Sequence, residues 1–278
     1  MGMKCFFHKI KIGFVRRRTP SIPCTSRAKK FGNQGESEFF DLLVDSLPEC
    51  RIKKNIIIQT DEGNAEIDCL VLYRGKLFAI EVKRWKGCLV EEEGKFIKSN
   101  VDQWGEAHMR EQKSPFKQLG RAIYLLKKQI PDKVWVTGIV FFMETDSVLT
   151  NQENVWFNKI EDMVDYIAQN GRSSGAADSF FNRCIAADYL YSDSWEKSMH
   201  CVICDTSLRF DTPVGVLTRK DIESIRLVHH WSYDEVSIKT LKGEQYETKV
   251  ENMLIEVMDN GEKHLYGMYK LDYIELGK

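Results

Sequence analysis

Residues 66–87 read EIDCLVLYRGKLFAIEVKRWKG: two apolar runs joined at Arg74-Gly75, with Asp68 interrupting the first and Glu81 and Lys83 the second. The apolar content and the tight turn predict a hairpin of two interior strands, about 65–73 and 76–84. A buried charge costs several kcal/mol unless it is paired or bound to a metal. These three charges therefore need partners or a chemical task. Strand alternation puts Glu81 and Lys83 on one face and sends Phe78, Ile80 and Val82 into the core from the other. With the turn at Arg74-Gly75, Asp68 falls opposite the region of Glu81. Two carboxylates and one ammonium thus converge on one sheet surface. Hard cations such as Mg²⁺ take one or two carboxylates plus phosphate oxygens, and an adjacent lysine can orient water or stabilise charge building on a phosphate. Alone, the E-x-K triplet carries little, since composition yields on the order of one per chain of this length, and its ordinary reading is an edge-strand salt bridge. The Asp on the preceding apolar strand narrows the choice.

The flanks predict the rest of the architecture. GNQGESEFFDLLVDSL opens a helix at Gly32–Glu36, with Phe39, Phe40, Leu43 and Leu47 at helical spacing and Pro48 as its stop. NIIIQT (55–60) reads as a strand, and GCLVEEEGKFIKS as a more exposed hairpin turning at Glu93-Gly94. SPFKQLGRAIYLLKKQI is an amphipathic helix with Ser114 as N-cap and Pro115 at its first position. A buried strand (VWVTGIVFFM) follows, then a strand and a helix in NVWFNKIEDMVDYIAQN. Up to about residue 170 the expected class is α/β, a mixed sheet flanked by helices. GRSSG (171–175) reads as a linker and about 176–191 as a helix, and from about 200 short alternating strands with Gly, Asn and Asp turns predict a small antiparallel β-domain. The expected divisions are a basic arm over 1–30, the α/β domain over 31–170, a linker and helix over 171–199, and the β-rich domain over 200–278.

Nine of the 40 Lys/Arg and none of the 41 Asp/Glu lie in residues 1–30, so the formal charge of −1 hides a basic arm on an acidic body. Such an arm fits a phosphate-contacting tail, with a solvated leader or a membrane-surface segment as the alternatives. The longest uncharged apolar run, Val134–Met143, is too short to cross a bilayer. The first twenty residues scatter cations through their apolar positions and lack the h-region of a secretory signal. Eight cysteines at irregular spacing read as reduced thiols of a cytoplasmic protein.

Asp68, Glu81 and Lys83 resemble the D-x(n)-E-x-K core of the PD-(D/E)xK nuclease superfamily. With its flanks the chain is similar to the nuclease-related domain family, NERD. Gly32-Asn33-Gln34-Gly35-Glu36 matches its G-x-x-G-E opening, EIDCLVL its acidic strand, LFAIEVKRWKG its I-E-x-K-x-x-x-G strand, and SPFKQ its N-P-x-x-Q. Ser114 stands where asparagine is usual, and Trp85 where a small or polar residue is commoner. The resemblance covers roughly residues 32–145 and implies a restriction-endonuclease-like fold. It implies Asp68 and Glu81 as ligands of Mg²⁺ or Mn²⁺, with Lys83 positioning water or stabilising charge. Glu36 would be an accessory ligand or base, and Gln118 a contact to water or phosphate. Read without the resemblance, Glu36 complements a helix dipole and Gln118 is an ordinary polar residue of a first helical turn.

The implied activity is metal-dependent hydrolysis of nucleic-acid phosphodiesters, DNA ahead of RNA and endonucleolytic. The alternative is a non-catalytic nucleic-acid- or protein-binding module that retains the fold. The C-terminal β-domain is expected to supply recognition, including a possible protein partner. Cys201-x-x-Cys204 with Cys184, His229 or His230 is a weak zinc candidate because the spacing fits no standard finger. Trp104, His108 and Arg110 read as an aromatic-plus-basic loop able to stack on a base.

Overall fold

The computed structural model describes residues 20–23, 27–101, 104, 106–130, 134–150, 155–171, 175–192, 197–259 and 261–277. The chain forms two units, residues 27–186 and residues 187–278, the second also taking in the described residues 20–23.

The first unit is a seven-stranded sheet in the order β1-β2-β3-β4-β5: β1 (Arg51–Thr60), β2 (Gly63–Tyr73), β3 (Lys76–Glu92), β4 (Lys95–Val101) and β5 (Ala107–Lys113). These neighbours are antiparallel. β6 (Val136–Leu149) runs parallel to β3, and the short β7 (Trp156–Phe157) parallel to β6. The β2–β3 turn has Arg74 and Gly75 both at positive φ, 45° and 76°, which matches the twist of a two-residue hairpin.

Helices cover both faces. Phe78, Ile80 and Val82 pack with Phe39 and Leu43 of α1 (Arg27–Ser46) and with Met163 and Ile167 of α3 (Ile160–Gln169). Leu77, Ala79, Leu89 and Phe96 pack on the other face with Phe116, Leu119 and Leu125 of α2 (Pro115–Lys127) and with Phe180 and Phe181 of α4 (Gly175–Arg183). The α2 start is as expected: Pro115 occupies the first turn and Ser114 Oγ accepts from the Lys117 N–H.

Four expectations are corrected. α1 begins at Arg27, so the GNQGE segment lies within the helix. Gly35 is buried there, and a Cβ on it would come within 2.9 Å of Arg84 Cδ, so the glycine permits close approach to β3. Residues 107–113, expected as a loop, form β5 at the sheet edge. The helix expected over 176–191 ends at Arg183, and Asp188–Ser192 alternates in burial as a strand of the second unit. Unit division therefore falls between Ala186 and Ala187, and α4 completes the first unit's core.

The second unit is an antiparallel eight-stranded sheet ordered β14-β13-β12-β17-β8-β9-β15-β16, with a separate β10-β11 hairpin. Its strands are β8 (Asp188–Ser192), β9 (Lys197–Ile203), β10 (Arg209–Thr212), β11 (Gly215–Thr218), β12 (Ile222–His229), β13 (Asp234–Thr240), β14 (Gln245–Val250), β15 (Leu254–Asp259), β16 (Glu262–Gly267) and β17 (Tyr273–Glu275). Buried Asp188 holds it together, accepting from the Ile203 and Gly277 N–H groups and from Arg219. Most of the basic arm lies outside the described residues. Within it, Ile22 is buried in this second core and Ser21 Oγ accepts from Lys197, while Arg27, Lys29 and Lys30 already belong to α1. Among the described residues no helix is long and apolar enough to cross a membrane.

Candidate functional site

Strand β3 changes partners along one edge. β2 pairs with it as far as Cys69↔Ile80, and β4 takes over at Cys88↔Ser99, while β6 pairs with its other edge from Leu77 to Val90, with irregularities on either side of Gly87. Residues 81–87 are thus left without a strand on one side. Backbone N–H groups at such a gap need other partners. Asp68, just beyond the last β2 pair, supplies one: its Oδ2 accepts from the Val82 N–H at 2.7 Å. The β1–β2 ladder is interrupted at the same place, between Lys54↔Cys69 and Ile56↔Ile67, where Asn55 adopts a positive φ of 51°. Ile67 and Cys69 consequently join opposite cores, and Asp68 between them is buried.

Glu81 shares the face of Leu77 and Ala79 and is fully buried. Lys83 Nζ donates to Glu81 Oε1, whereas Glu81 Oε2 is buried without a hydrogen-bond partner. Burial pushes the Glu81 carboxyl well above its usual range, Asp68 adds to the rise, and Lys83 opposes it. Burial works against the Lys83 ammonium, but Glu81 and Asp68 outweigh it and hold the group above its usual value. An orphaned carboxylate oxygen beside a second carboxylate is a donor set that suits a hard cation, which takes its remaining ligands from water and phosphate.

The structure brings Asp68, Glu81 and Lys83 together as the hairpin predicts. Glu36, half-buried on α1, is close enough for its charge to act on both Glu81 and Lys83. Among the described residues no three His, Cys, Asp or Glu side chains are grouped to hold a metal, so Glu36 does not complete a preformed triad. Gln118 is exposed on α2, its N–H bonded to the Ser114 carbonyl at 3.2 Å. Trp85, the departure from the family pattern, packs against the core with its ring 5.9 Å from Phe142 and 6.1 Å from Phe96. Cys201 is buried in the second core, and Cys204 lies 3.2 Å from Glu256, an arrangement unlike a zinc site. The six described cysteines are free thiols.

Arg84 had no signal in the sequence beyond its charge. It bonds Glu144 at 2.6 Å and Glu38 of α1 at 3.1 Å, and Gly35 seats on its stem. Arg84 therefore locks the helix that carries Glu36 onto β3. The only hint was the spacing of Gly35, which marks close packing as readily as a helix start.

Residues 31–143 match the family model of the nuclease-related domain, NERD, whose wider context is the PD-(D/E)xK superfamily. No curated protein and no solved structure matches the chain.

Proposed function

We propose that residues 27–186 form a metal-dependent nuclease that hydrolyses phosphodiester bonds of DNA. The buried Glu81 carries this proposal: one oxygen is held by Lys83, the other has no hydrogen-bond partner, and Asp68 is adjacent. Asp68 and Glu81 would hold Mg²⁺ or Mn²⁺, which would supply Lewis-acid polarisation of the scissile phosphate. The Val82 N–H fixes Asp68, and the surrounding core fixes Glu81, so both carboxylates are oriented before substrate arrives. Lys83 places a fixed positive charge where negative charge builds on the phosphate. Glu36 is the nearby additional carboxylate, and Gln118 is assigned a contact to phosphate or water on the family pattern. We assign target recognition, or a protein partner, to residues 187–278.

The Lys83–Glu81 ion pair favours a second reading, in which the pair is purely structural and the fold only binds. Nicking of supercoiled plasmid with and without Mg²⁺ separates the two. Glu81→Gln, Asp68→Asn and Lys83→Ala should each slow nicking by roughly 10²–10³-fold. The two carboxylate variants should hold or raise the thermal midpoint, whereas Lys83→Ala, which leaves Glu81 buried without its partner, should lower it. Wild-type nicking by Glu81→Gln, or DNA binding without any cleavage by the wild type, would reject the nuclease reading.

A further inference from the structure

β4 and β5 form the end of the sheet, with Phe96 of β4 packed on Phe116 of α2 and β5 at the edge almost wholly exposed. Its two faces differ in charge. On one face Lys95 stands opposite Lys113, and Glu111 offsets them with an ion pair to Lys95 at 2.9 Å. On the other face Lys98 stands opposite Arg110, with Phe96, Asn100, His108 and Gln112 around them and no carboxylate among those β4 and β5 positions. Like charges placed directly across a ladder repel. Arg110 and Lys86 both act on Lys98, adding to burial in depressing its ammonium, and Glu144 only partly opposes them. Among the described residues neither Lys98 nor Arg110 forms an ion pair.

This cationic face is also the face of the candidate site. Leu77, Ala79, Leu89 and Phe96 share one core. Glu81 continues the Ala79 side of β3, Lys98 lies across from Leu89, and Arg110 across from Lys98. We propose that the β4–β5 ribbon grips the phosphate backbone of duplex DNA through Lys98 and Arg110, beside the bond to be cut. The inference rests on the nuclease reading for the identity of the polyanion. β4 is paired on both edges, by β3 and by β5, so the contact is made from the sheet face beside the exposed β5 edge, and two cations without ion pairs complement two phosphates. From Glu81 to Leu89 the strand advances roughly 25 Å at about 3.3 Å per residue. At 3.4 Å per base pair, the gripped phosphates lie roughly five to eight base pairs from the scissile one.

The test is anisotropy of a labelled duplex of about two helical turns against the full chain in EDTA, over a salt series, so that binding is read without cleavage. Replacing both cations, Lys98→Gln with Arg110→Gln, should flatten the log–log salt slope by about 1.8 and weaken affinity roughly ten- to a hundredfold near 0.1 M salt. Lys95→Gln with Lys113→Gln, the same charge loss on the opposite face, should leave the slope unchanged. A duplex too short to reach both places should lose the difference between wild type and the first variant. The proposal is overturned if the slope of the Lys98/Arg110 variant equals that of the wild type. It is overturned equally if both variants lose affinity alike, or if the effect is confined to single strands. Cleavage with an unchanged slope removes the ribbon alone, whereas ribbon-dependent binding by a protein that never cleaves removes the nuclease reading alone.

Discussion

Gly87 tests the partner exchange along β3. It sits in the unpaired stretch between the β2 and β4 ladders, at a φ of 91°, and a Cβ there would lie 2.2 Å from the Ser99 carbonyl oxygen of β4. Gly87→Ala therefore imposes two penalties. A left-handed backbone costs an L-residue about 1–2 kcal/mol, and displacing a backbone oxygen that cannot rotate away adds about 1–3 kcal/mol. The sum, roughly 2–5 kcal/mol, corresponds to a fall of roughly 5–15 °C in the melting of the first unit. Two other glycines calibrate it. Gly94 has a φ of 75°, and its added Cβ meets only the Lys117 side chain, 2.6 Å from Nζ, so Gly94→Ala should carry the backbone penalty alone. Nothing lies within 4 Å of a Cβ on Gly120, inside α2, and Gly120→Ala should stabilise by about 0.5–1 kcal/mol. Thermal melts and urea titrations of the three variants should rank Gly87→Ala lowest and Gly120→Ala highest. A Gly87→Ala protein that melts with the wild type would refute the close β3–β4 approach, and with it the exchange that opens the site.

Two further predictions concern the units separately. His229 Nδ1 meets buried Asp234 at 2.9 Å, with Asp272 near Nε2, and the Asp234 hydrogen bond raises its pKa above 6.5 against the effect of burial. A raised imidazole stabilises fully below the unfolded value and loses that contribution as pH climbs through the folded value. The second unit should therefore melt lower as pH rises above about 6.5, and His229→Gln should abolish that step; a pH-independent midpoint in the wild type would contradict the pairing. Ending the chain at residue 170 removes Ala177, Phe180 and Phe181 from the first core. Since each Phe truncation costs about 3–5 kcal/mol, that protein should fail to fold, whereas one ending at Ala186 should give a cooperative melt; equal solubility and melting of the two would place α4 outside the core.

The hairpin and its charges were legible because they depend on short-range facts: a two-residue turn, apolar alternation, and charges two apart on one strand. α2 was legible for the same reason, with its cap, proline and periodicity all local. What escaped depended on distant parts of the chain. β5 reads AHMREQK, without the β-branched residues that mark a strand, and it exists because β4 offers it an edge. The true start of α1 was hidden by Gly32 and Gly35, ordinarily helix breakers, although Gly35 is needed where α1 meets Arg84. Tyr189–Tyr191 looked like the tail of a helix until β17, near the other end of the second unit, proved to pair with it. Ile22 carried no sign that its partners lie far along the chain.

The partner exchange explains why charges occupy an interior strand. A sheet edge is a row of unpaired N–H and C=O groups, and in this unit a stretch of such edge lies next to the packed core. Val82 meets its share of the deficit with the Asp68 carboxylate. That leaves Asp68 and Glu81 close enough to raise each other's cost, which Lys83 offsets only in part. The cation proposed between them would relieve that strain, so the gap that disrupts the ladder is also the place of the proposed metal. β3 carries the consequence onward without a linker: Ala79 anchors it, Glu81 and Lys83 face the gap, Gly87 admits β4, and Leu89 fixes the root of the ribbon. The spacing between the bond proposed for cleavage and the phosphates proposed for grip is therefore set by the length of one strand. Duplex length, more than base sequence, should govern how well this unit alone holds its substrate.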